Sequence, residues 1–147
     1  MPKRVSPKEA ADLLQNGHSY IDVRSIPEYE QGHPVGARNI PFMHFENGRM
    51  VLNRDFLAVF EKLYPKDSPL VVGCKAGGRS LQAVTLLERN GYTHLVDMRG
   101  GFDAEIDPHT GQIGELGWSR VGLPVEKNTA GGDWTSLSAA AKTKASP

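Results

Sequence analysis

The spacing of apolar and polar positions predicts helices and short strands that alternate along the chain. The first helix begins with a capping box, in which Ser6 is the N-cap, Pro7 takes the first helical position and Glu9 completes the box. Gly17 suits the left-handed position that follows a helix end, so the helix should stop there. Residues 20–23 then form a short predicted strand.

The middle of the chain shows both the helical and the strand period. In residues 53–63 the apolar side chains recur at helical spacing and share one face. Residues 70–72 are a compact apolar run, typical of a strand that is buried on both faces of a parallel sheet. The remaining predicted elements are a helical turn at 25–28, a short strand around 39–40, a helix at 79–89, a strand at 94–97, and a turn at 100–102 that leads into a short helix.

This alternation indicates an α/β fold with a mainly parallel central sheet and helices on both faces. A chain of 147 residues has the size of one ordinary domain, which we predict at residues 1–127. Residues 128–147 are rich in Gly, Ser, Ala and Lys. We expect them to form a polar tail that is either loosely docked or disordered.

Charge and composition narrow the classes of partner. The 17 acidic residues balance the 17 lysines and arginines, which gives no support for binding to nucleic acid or to an anionic membrane. No segment approaches the roughly 20 apolar residues of a membrane-spanning helix. The N-terminal residues lack the pattern of a signal peptide, and Cys74 is the only cysteine. We therefore expect a cytoplasmic protein without a disulfide or a multi-cysteine metal site.

The chemically informative segment is the loop at residues 74–80, between a predicted strand and a predicted helix. Ligands of open α/β sheets bind beyond the carboxyl ends of the strands, so Cys74 lies where a reactive group is expected. Gly77 and Gly78 lack a Cβ atom and allow the loop to fold tightly, with its N–H groups directed inwards. Such a nest at the positive end of a helix attracts anions.

The same surroundings favour a thiolate on Cys74. Lys75 and Arg79 are candidate cations, and we expect Arg79 to offer two parallel hydrogen bonds to an oxyanion substrate. Ser80 is expected to cap the helix or to donate its hydroxyl group to the sulfur. A lone cysteine after an apolar strand is more often an inert, buried side chain. The glycines, the arginine and the serine that follow within six residues favour the reactive interpretation.

At these positions the sequence resembles the rhodanese family, specifically its single-domain members. The active loop of that family reads Cys-x-x-Gly-x-Arg-Ser, and Cys74, Gly77, Arg79 and Ser80 match it position by position. Further matches to the family follow in order between residues 7 and 126, at 21–24, 28–29, 32–33, 36–41, 91–92, 100–102 and 122–125.

The chain departs from the family pattern at two places. Pro34 and Val35 stand in the reverse of the usual order, which is expected to alter a turn. An insertion at residues 107–112 delays the tryptophan that usually follows the Gly-Gly-Phe landmark to Trp118. We expect the insertion to reshape the rim of the site or to contact a partner.

The resemblance implies a sulfurtransferase without a metal or an organic cofactor. The Cys74 thiolate attacks the outer sulfur of a donor such as thiosulfate, sulfite leaves, and the persulfide passes its outer sulfur to cyanide or a thiol. The chain has no second cysteine, so the acceptor is external, and a thioredoxin-like protein is one candidate. Around Cys74 as the nucleophile, the predicted site comprises a persulfide-binding loop and supporting residues: Lys75, Ala76, Gly77, Gly78, Arg79 and Ser80, with Asp22, Arg24 and Arg38.

Two other classes of function stay open at this point. Phosphatases and arsenate reductases of related fold also place cysteine and arginine around an anion-binding loop. Their loop is one residue longer than the four residues that separate Cys74 from Arg79. A rhodanese-like interaction module without catalysis commonly loses the cysteine, which this chain keeps.

The supporting residues also have two interpretations each. Asp22 and Arg24 either brace the active loop or form a surface ion pair beside a helix cap. Arg38 either adds positive potential at the mouth of the pocket or is an ordinary solvated side chain.

Overall fold

The computed structural model describes residues 2–143 of the chain. Its helices are α1 (Pro7–Gln15), α2 (Ile26–Gln31), α3 (Phe56–Leu63), α4 (Gly78–Arg89) and α5 (Trp134–Thr143). Its strands are β1 (Lys3–Val5), β2 (Ser19–Asp22), β3 (His33–Pro34), β4 (Arg38–Asn39), β5 (Met43–Glu46), β6 (Arg49–Leu52), β7 (Leu70–Gly73), β8 (Leu95–Met98), β9 (Ala104–Ile106), β10 (Ile113–Leu116) and β11 (Val125–Glu126). Within this part of the chain, no helix is long and apolar enough to cross a bilayer.

The central sheet consists of five parallel strands in the order β1-β8-β7-β2-β4. The pairing of β2 with β7 sets Ile21 opposite Val72 and Asp22 opposite Gly73. Because all five strands run in the same direction, the residues that follow them meet at one edge of the sheet. This edge holds the loop that begins with Cys74.

Helices cover both faces of the sheet, because successive strand residues point to opposite sides. Ile21, Val72 and Leu95 pack in one core with side chains of α3, α4 and α5. Val71 and Val96 pack in the second core with side chains of α1. The predicted α/β class, with helices on both faces of a parallel sheet, is confirmed.

The elements predicted between residues 6 and 97 are present, with small shifts at their ends. The capping box of α1 is formed, since the Glu9 N–H group donates to Ser6 Oγ at 3.1 Å and the Ser6 N–H group donates to Glu9 Oε1 at 2.8 Å. The hydrophobic pattern does not predict β1, the short pair β3–β11 or the hairpin β5–β6. These strands have two to four residues each, too few for a clear period.

The prediction of a short helix after the turn at residues 100–102 is wrong. The chain continues into β9, which pairs with β10 as an antiparallel hairpin. The side chain of Asp107 accepts hydrogen bonds from the backbone N–H groups of His109 and Thr110, at 2.7 and 3.1 Å. Local acceptors of this kind compete with helical bonding, so the insertion at 107–112 forms the connection of the hairpin.

The C-terminal segment contributes to the core. α5 packs against α3, and its Leu137 and Ala141 are 6% and 2% exposed. The segment is rich in small residues, so its composition resembles that of a tail even though the helix has an apolar face. Residues 134–143 therefore extend the packed structure beyond residue 127, whereas residues 144–147 lie outside the described residues.

Candidate active site

Cys74 lies between the end of β7 and the start of α4, and its side chain is buried, with the residue 1% exposed. The backbone N–H group of Gly77 donates a hydrogen bond to Sγ over 3.0 Å, and the Ser80 hydroxyl oxygen lies 3.4 Å from Sγ. An N–H donor, a hydroxyl group and a helix N-terminus around one sulfur stabilise negative charge on it.

The loop turns at a glycine, and three of its other residues face solvent. Gly77 is the N-cap of α4 and has a φ of +105°, a conformation that residues with a Cβ atom rarely adopt. Lys75, Ala76 and Gly78 are exposed. The predicted loop residues therefore form a short turn whose outer surface meets solvent and whose inner surface holds the sulfur.

A second segment of the chain fixes the loop backbone. The Phe102 N–H group donates to the Cys74 carbonyl oxygen at 2.6 Å, and the Asp103 N–H group donates to the Lys75 carbonyl oxygen at 3.0 Å. Gly101 has a φ of +63°, and a Cβ atom at this position would lie 2.5 Å from the carbonyl oxygen of Lys75. Only glycine allows this approach, so the turn before β9 is part of the site's scaffold.

A buried carboxylate lies behind the loop. Asp97, in β8, is 0% exposed, its Oδ2 accepts a hydrogen bond from Arg4 Nε at 2.7 Å, and its Oδ1 has no partner among the described residues. Burial raises the pKa of Asp97, although the nearby Ser80 hydroxyl and the Arg4 guanidinium act in the opposite direction. Ser80 Oγ also lies 3.3 Å from the Gly77 carbonyl oxygen. The Ser80 hydroxyl is thus surrounded by the sulfur and by oxygen acceptors.

The guanidinium of Arg79 is engaged by a carboxylate. Its two terminal nitrogens donate to the two carboxylate oxygens of Glu28, at 2.7 and 3.0 Å. Burial opposes ionisation of Glu28, but the hydrogen bonds and charge of Arg79, together with Ser25, lower its pKa to about 2. The bidentate contact expected between Arg79 and a substrate therefore goes to Glu28, and the ion pair joins α2 to α4.

The pair of Asp22 and Arg24 is buried and reaches the loop through an aromatic ring. Arg24 Nη2 donates to Asp22 Oδ2 at 2.7 Å, and both residues are less than 5% exposed. Arg24 also donates to the Gly32 carbonyl oxygen at 2.6 Å, and its Cζ atom lies 4.3 Å from the centroid of the Phe102 ring. Because Phe102 bonds to the Cys74 carbonyl, this geometry agrees with the bracing interpretation and not with a surface ion pair.

Arg38 lies away from Cys74. Its exposed side chain donates to the hydroxyl oxygen of Tyr64, at the end of α3, over 3.2 Å. It lines a cavity together with Ser19, the first residue of β2. That cavity is at the amino ends of the strands, so the expected position of Arg38 at the mouth of the site is corrected.

Three residues near the site are not found by sequence reasoning. Glu28 completes a capping box with Ser25, and this local role explains a glutamate at the position without any contact to Arg79. Arg4 lies in a strand of three residues, which gives no periodic signal. Asp97 does have a signal, because a carboxylate inside an apolar strand needs a buried partner.

A family model of the rhodanese-like domain matches residues 6–105, a range that includes the Cys74 loop and the pairs that Arg24 and Arg79 form. The chain belongs to the rhodanese family. It is 37% identical over 126 residues to thiosulfate sulfurtransferase 16, chloroplastic, of Arabidopsis thaliana, with 86% of this chain and 94% of that protein covered. This rhodanese is therefore a sulfurtransferase by class.

A second relative supports the same class, and a solved structure shares the fold. The chain is 31% identical over 124 residues to thiosulfate sulfurtransferase GlpE of Haemophilus influenzae, with 84% of this chain and 94% of that protein covered. It is also similar to the crystal structure of Rv0390 from M. tuberculosis, with a TM-score of 0.70 at 25% identity, covering 86% of this chain and 98% of the other. Both matches extend over nearly the whole of the compared protein, as expected for a single-domain rhodanese.

Proposed function

We propose that this rhodanese transfers a sulfane sulfur through a persulfide on Cys74. The Cys74 thiolate attacks the outer sulfur of thiosulfate or a similar donor, the S–S bond of the donor breaks, and sulfite leaves with the electron pair. A nucleophilic acceptor, cyanide or a thiol, then attacks the outer sulfur of the persulfide. The S–S bond at Cys74 breaks, and the thiolate is regenerated.

The observation that carries the proposal is the geometry around Sγ. The Gly77 N–H group donates to Sγ over 3.0 Å and favours a thiolate there, both as the attacking group and as the group regenerated after the transfer, and the Ser80 hydroxyl oxygen lies beside it at 3.4 Å. The exposed Lys75 adds positive charge on the solvent side of the loop. All three groups come from the segment that follows β7, so one loop supplies the whole binding site for the sulfur.

The acceptor is a molecule outside the chain, because Cys74 is its only cysteine. Small thiols and cyanide fit this requirement, and a protein thiol of the thioredoxin-like type is a further candidate. We also propose that the reaction takes place in the cytoplasm and needs no metal, organic cofactor, nucleic acid or membrane. These proposals follow from the composition and from the chemistry of the loop.

The test is the release of thiocyanate from thiosulfate and cyanide by the wild-type chain and by Cys74→Ala. We expect turnover in the wild type and none in the variant, because the variant lacks the atom that carries the sulfur. A variant that retains the wild-type rate would sink the proposal. Circular dichroism of both proteins shows whether the variant is folded, so that loss of activity is not loss of structure.

The phosphatase alternative is tested with the same two proteins. A phosphatase must surround a tetrahedral oxyanion, and the four residues between Cys74 and Arg79 leave a smaller loop than such enzymes have. In addition, Arg79 is bound to Glu28 by two hydrogen bonds. We therefore expect no hydrolysis of an aryl phosphate above background, and a Cys74-dependent hydrolysis would favour the phosphatase.

A further inference from the structure

Four arginines lie in or beside the Cys74 loop, and each is paired with a carboxylate. The N···O distances are 2.7 Å in three pairs and 2.8 Å in the fourth: Arg4–Asp97, Arg24–Asp22, Arg79–Glu28 and Arg120–Asp103. Lys75 is exposed and forms no ion pair with any of residues 2–143. The loop therefore has one cation whose charge is not compensated by a neighbouring carboxylate.

Arg79 belongs to the loop that holds the sulfur, and its pair with Glu28 joins that loop to α2. The side chains are 18% and 22% exposed, so the part of the guanidinium that solvent reaches belongs to an ion pair and is not free. Glu28 is fixed from its other side, since Oε1 also accepts from the Ser25 N–H group at 3.1 Å and from the Ser25 hydroxyl at 2.8 Å. With a pKa of about 2, Glu28 stays ionised across the physiological range.

We infer that Glu28 is a specificity-determining residue, which neutralises Arg79 and so favours donors with at most one negative charge over doubly charged donors. Thiosulfate is a dianion at neutral pH, and its binding would gain from two uncompensated cations. The site offers one such cation, Lys75, together with the N–H groups of the loop. An organic persulfide brings its sulfane sulfur with a single negative charge or none, and it suits this site better. This inference rests on the proposed function of Cys74.

The transfer from a persulfide donor balances without any further reagent. The Cys74 thiolate attacks the outer sulfur of R–S–SH, and a new S–S bond forms. The bond between the two donor sulfurs breaks, and R–S⁻ leaves with the electron pair. The products are the Cys74 persulfide and the thiolate of the donor, which takes a proton from solvent.

The test compares two donors in wild type and Glu28→Gln: thiosulfate, and the hydropersulfide of 2-mercaptoethanol, whose carbon chain has no charge. The amide of Gln keeps the shape and part of the hydrogen bonding of Glu28 but removes its charge. We expect kcat/KM for thiosulfate to rise at least fivefold, mainly through a lower KM, and kcat/KM for the hydropersulfide to change less than twofold. Glu30→Gln is the matched control, because it removes an exposed carboxylate from the same helix, and we expect it to change neither value.

Binding without turnover gives a second readout. In the Cys74→Ala background, calorimetry should show tighter thiosulfate binding when Glu28→Gln is added. An unchanged or weaker affinity, or an equal change for both donors, would overturn the inference. Lys75→Gln tests the idea independently of α2: it should lower kcat/KM for thiosulfate about tenfold and for the hydropersulfide less than threefold, and equal losses would contradict it.

The proposed function of Cys74 and the role of Glu28 can fail separately. If Cys74→Ala retains sulfur transfer, the proposed function fails, whatever the donor. If transfer depends on Cys74 but Glu28→Gln leaves the ratio of the two donors unchanged, the role of Glu28 alone fails.

Discussion

Gly101→Ala is predicted to displace the active loop, although Gly101 is 27 positions away from Cys74 in the chain. The new Cβ atom would lie 2.5 Å from both the carbonyl carbon and oxygen of Lys75 and 2.6 Å from the carbonyl oxygen of Cys74. These are backbone atoms, which cannot rotate away as a side chain does. Overpacking of this kind costs roughly 1–3 kcal/mol. The left-handed φ of +63° adds roughly 1–2 kcal/mol for a residue with a Cβ atom.

The predicted loss of unfolding free energy is therefore about 2–5 kcal/mol, measured from the midpoint of urea denaturation. Gly111→Ala is the matched control, because Gly111 has a similar φ of +74° but no atom within 4 Å of its Cβ position. It should lose only the backbone part, about 1–2 kcal/mol, and keep its sulfur transfer. Gly101→Ala should also lose most of its sulfur transfer, since the carbonyls it displaces belong to Cys74 and Lys75. Equal destabilisation of the two variants, with activity retained in both, would refute the steric reasoning.

Three further changes test the pairs and the C-terminal helix. Asp22→Asn leaves the guanidinium of Arg24 buried without a counter-charge, and we expect urea denaturation to show a loss of about 3–5 kcal/mol. Glu28 has a pKa of about 2 in the folded chain against 4.5 unfolded, so its contribution of about 3 kcal/mol is present above pH 4.5 and is lost as the pH falls towards 2. Glu28→Gln should remove that part of the acid-induced loss of stability, and an unchanged pH dependence would contradict the ion pair. Leu137→Ala should cost about 2–5 kcal/mol in thermal or urea unfolding, whereas no loss would show that α5 is not part of the core.

The part of the fold that the sequence predicts is the part with long or well-marked elements. The capping box of Ser6 and Glu9 and the apolar run at residues 70–72 identify α1 and β7 because local bonding and burial leave a clear pattern. The hairpin β9–β10 gives no such pattern, since its strands have three and four residues and a bulge interrupts their pairing. The hairpin depends on the Asp107 carboxylate, which accepts hydrogen bonds in the connection, and on contacts with the rest of the domain.

The candidate site is predictable where the chemistry is local and not where it depends on distant partners. Cys74, Gly77 and Ser80 lie within a span of seven residues, and a glycine-bearing turn before a helix indicates an anion-binding loop. Arg79 is predicted as a free cation, but its partner Glu28 lies 51 positions earlier in the chain. Only the packing of α2 beside α4 brings the two together, and a single sequence does not report that packing.

Gly101 also depends on contacts with a distant part of the chain. The direct contact of Gly101 with the loop backbone requires a particular fold of the turn before β9, which a pair of glycines alone does not specify. Of the two interpretations of Arg38, the structure agrees with the solvated side chain, because Arg38 is exposed and begins β4, at the amino ends of the strands.

The central claim is that Cys74 carries the transferable sulfur, and the intact mass of the protein tests it most directly. The wild-type chain is mixed with thiosulfate in the absence of an acceptor and desalted. Its intact mass is then measured by mass spectrometry beside that of Cys74→Ala treated in the same way. The account predicts a gain of one sulfur atom in the wild type, its loss when cyanide is added, and no gain in the variant. A sulfur adduct that persists in Cys74→Ala, or a folded wild-type chain that gains no sulfur from thiosulfate or a persulfide, would contradict the account.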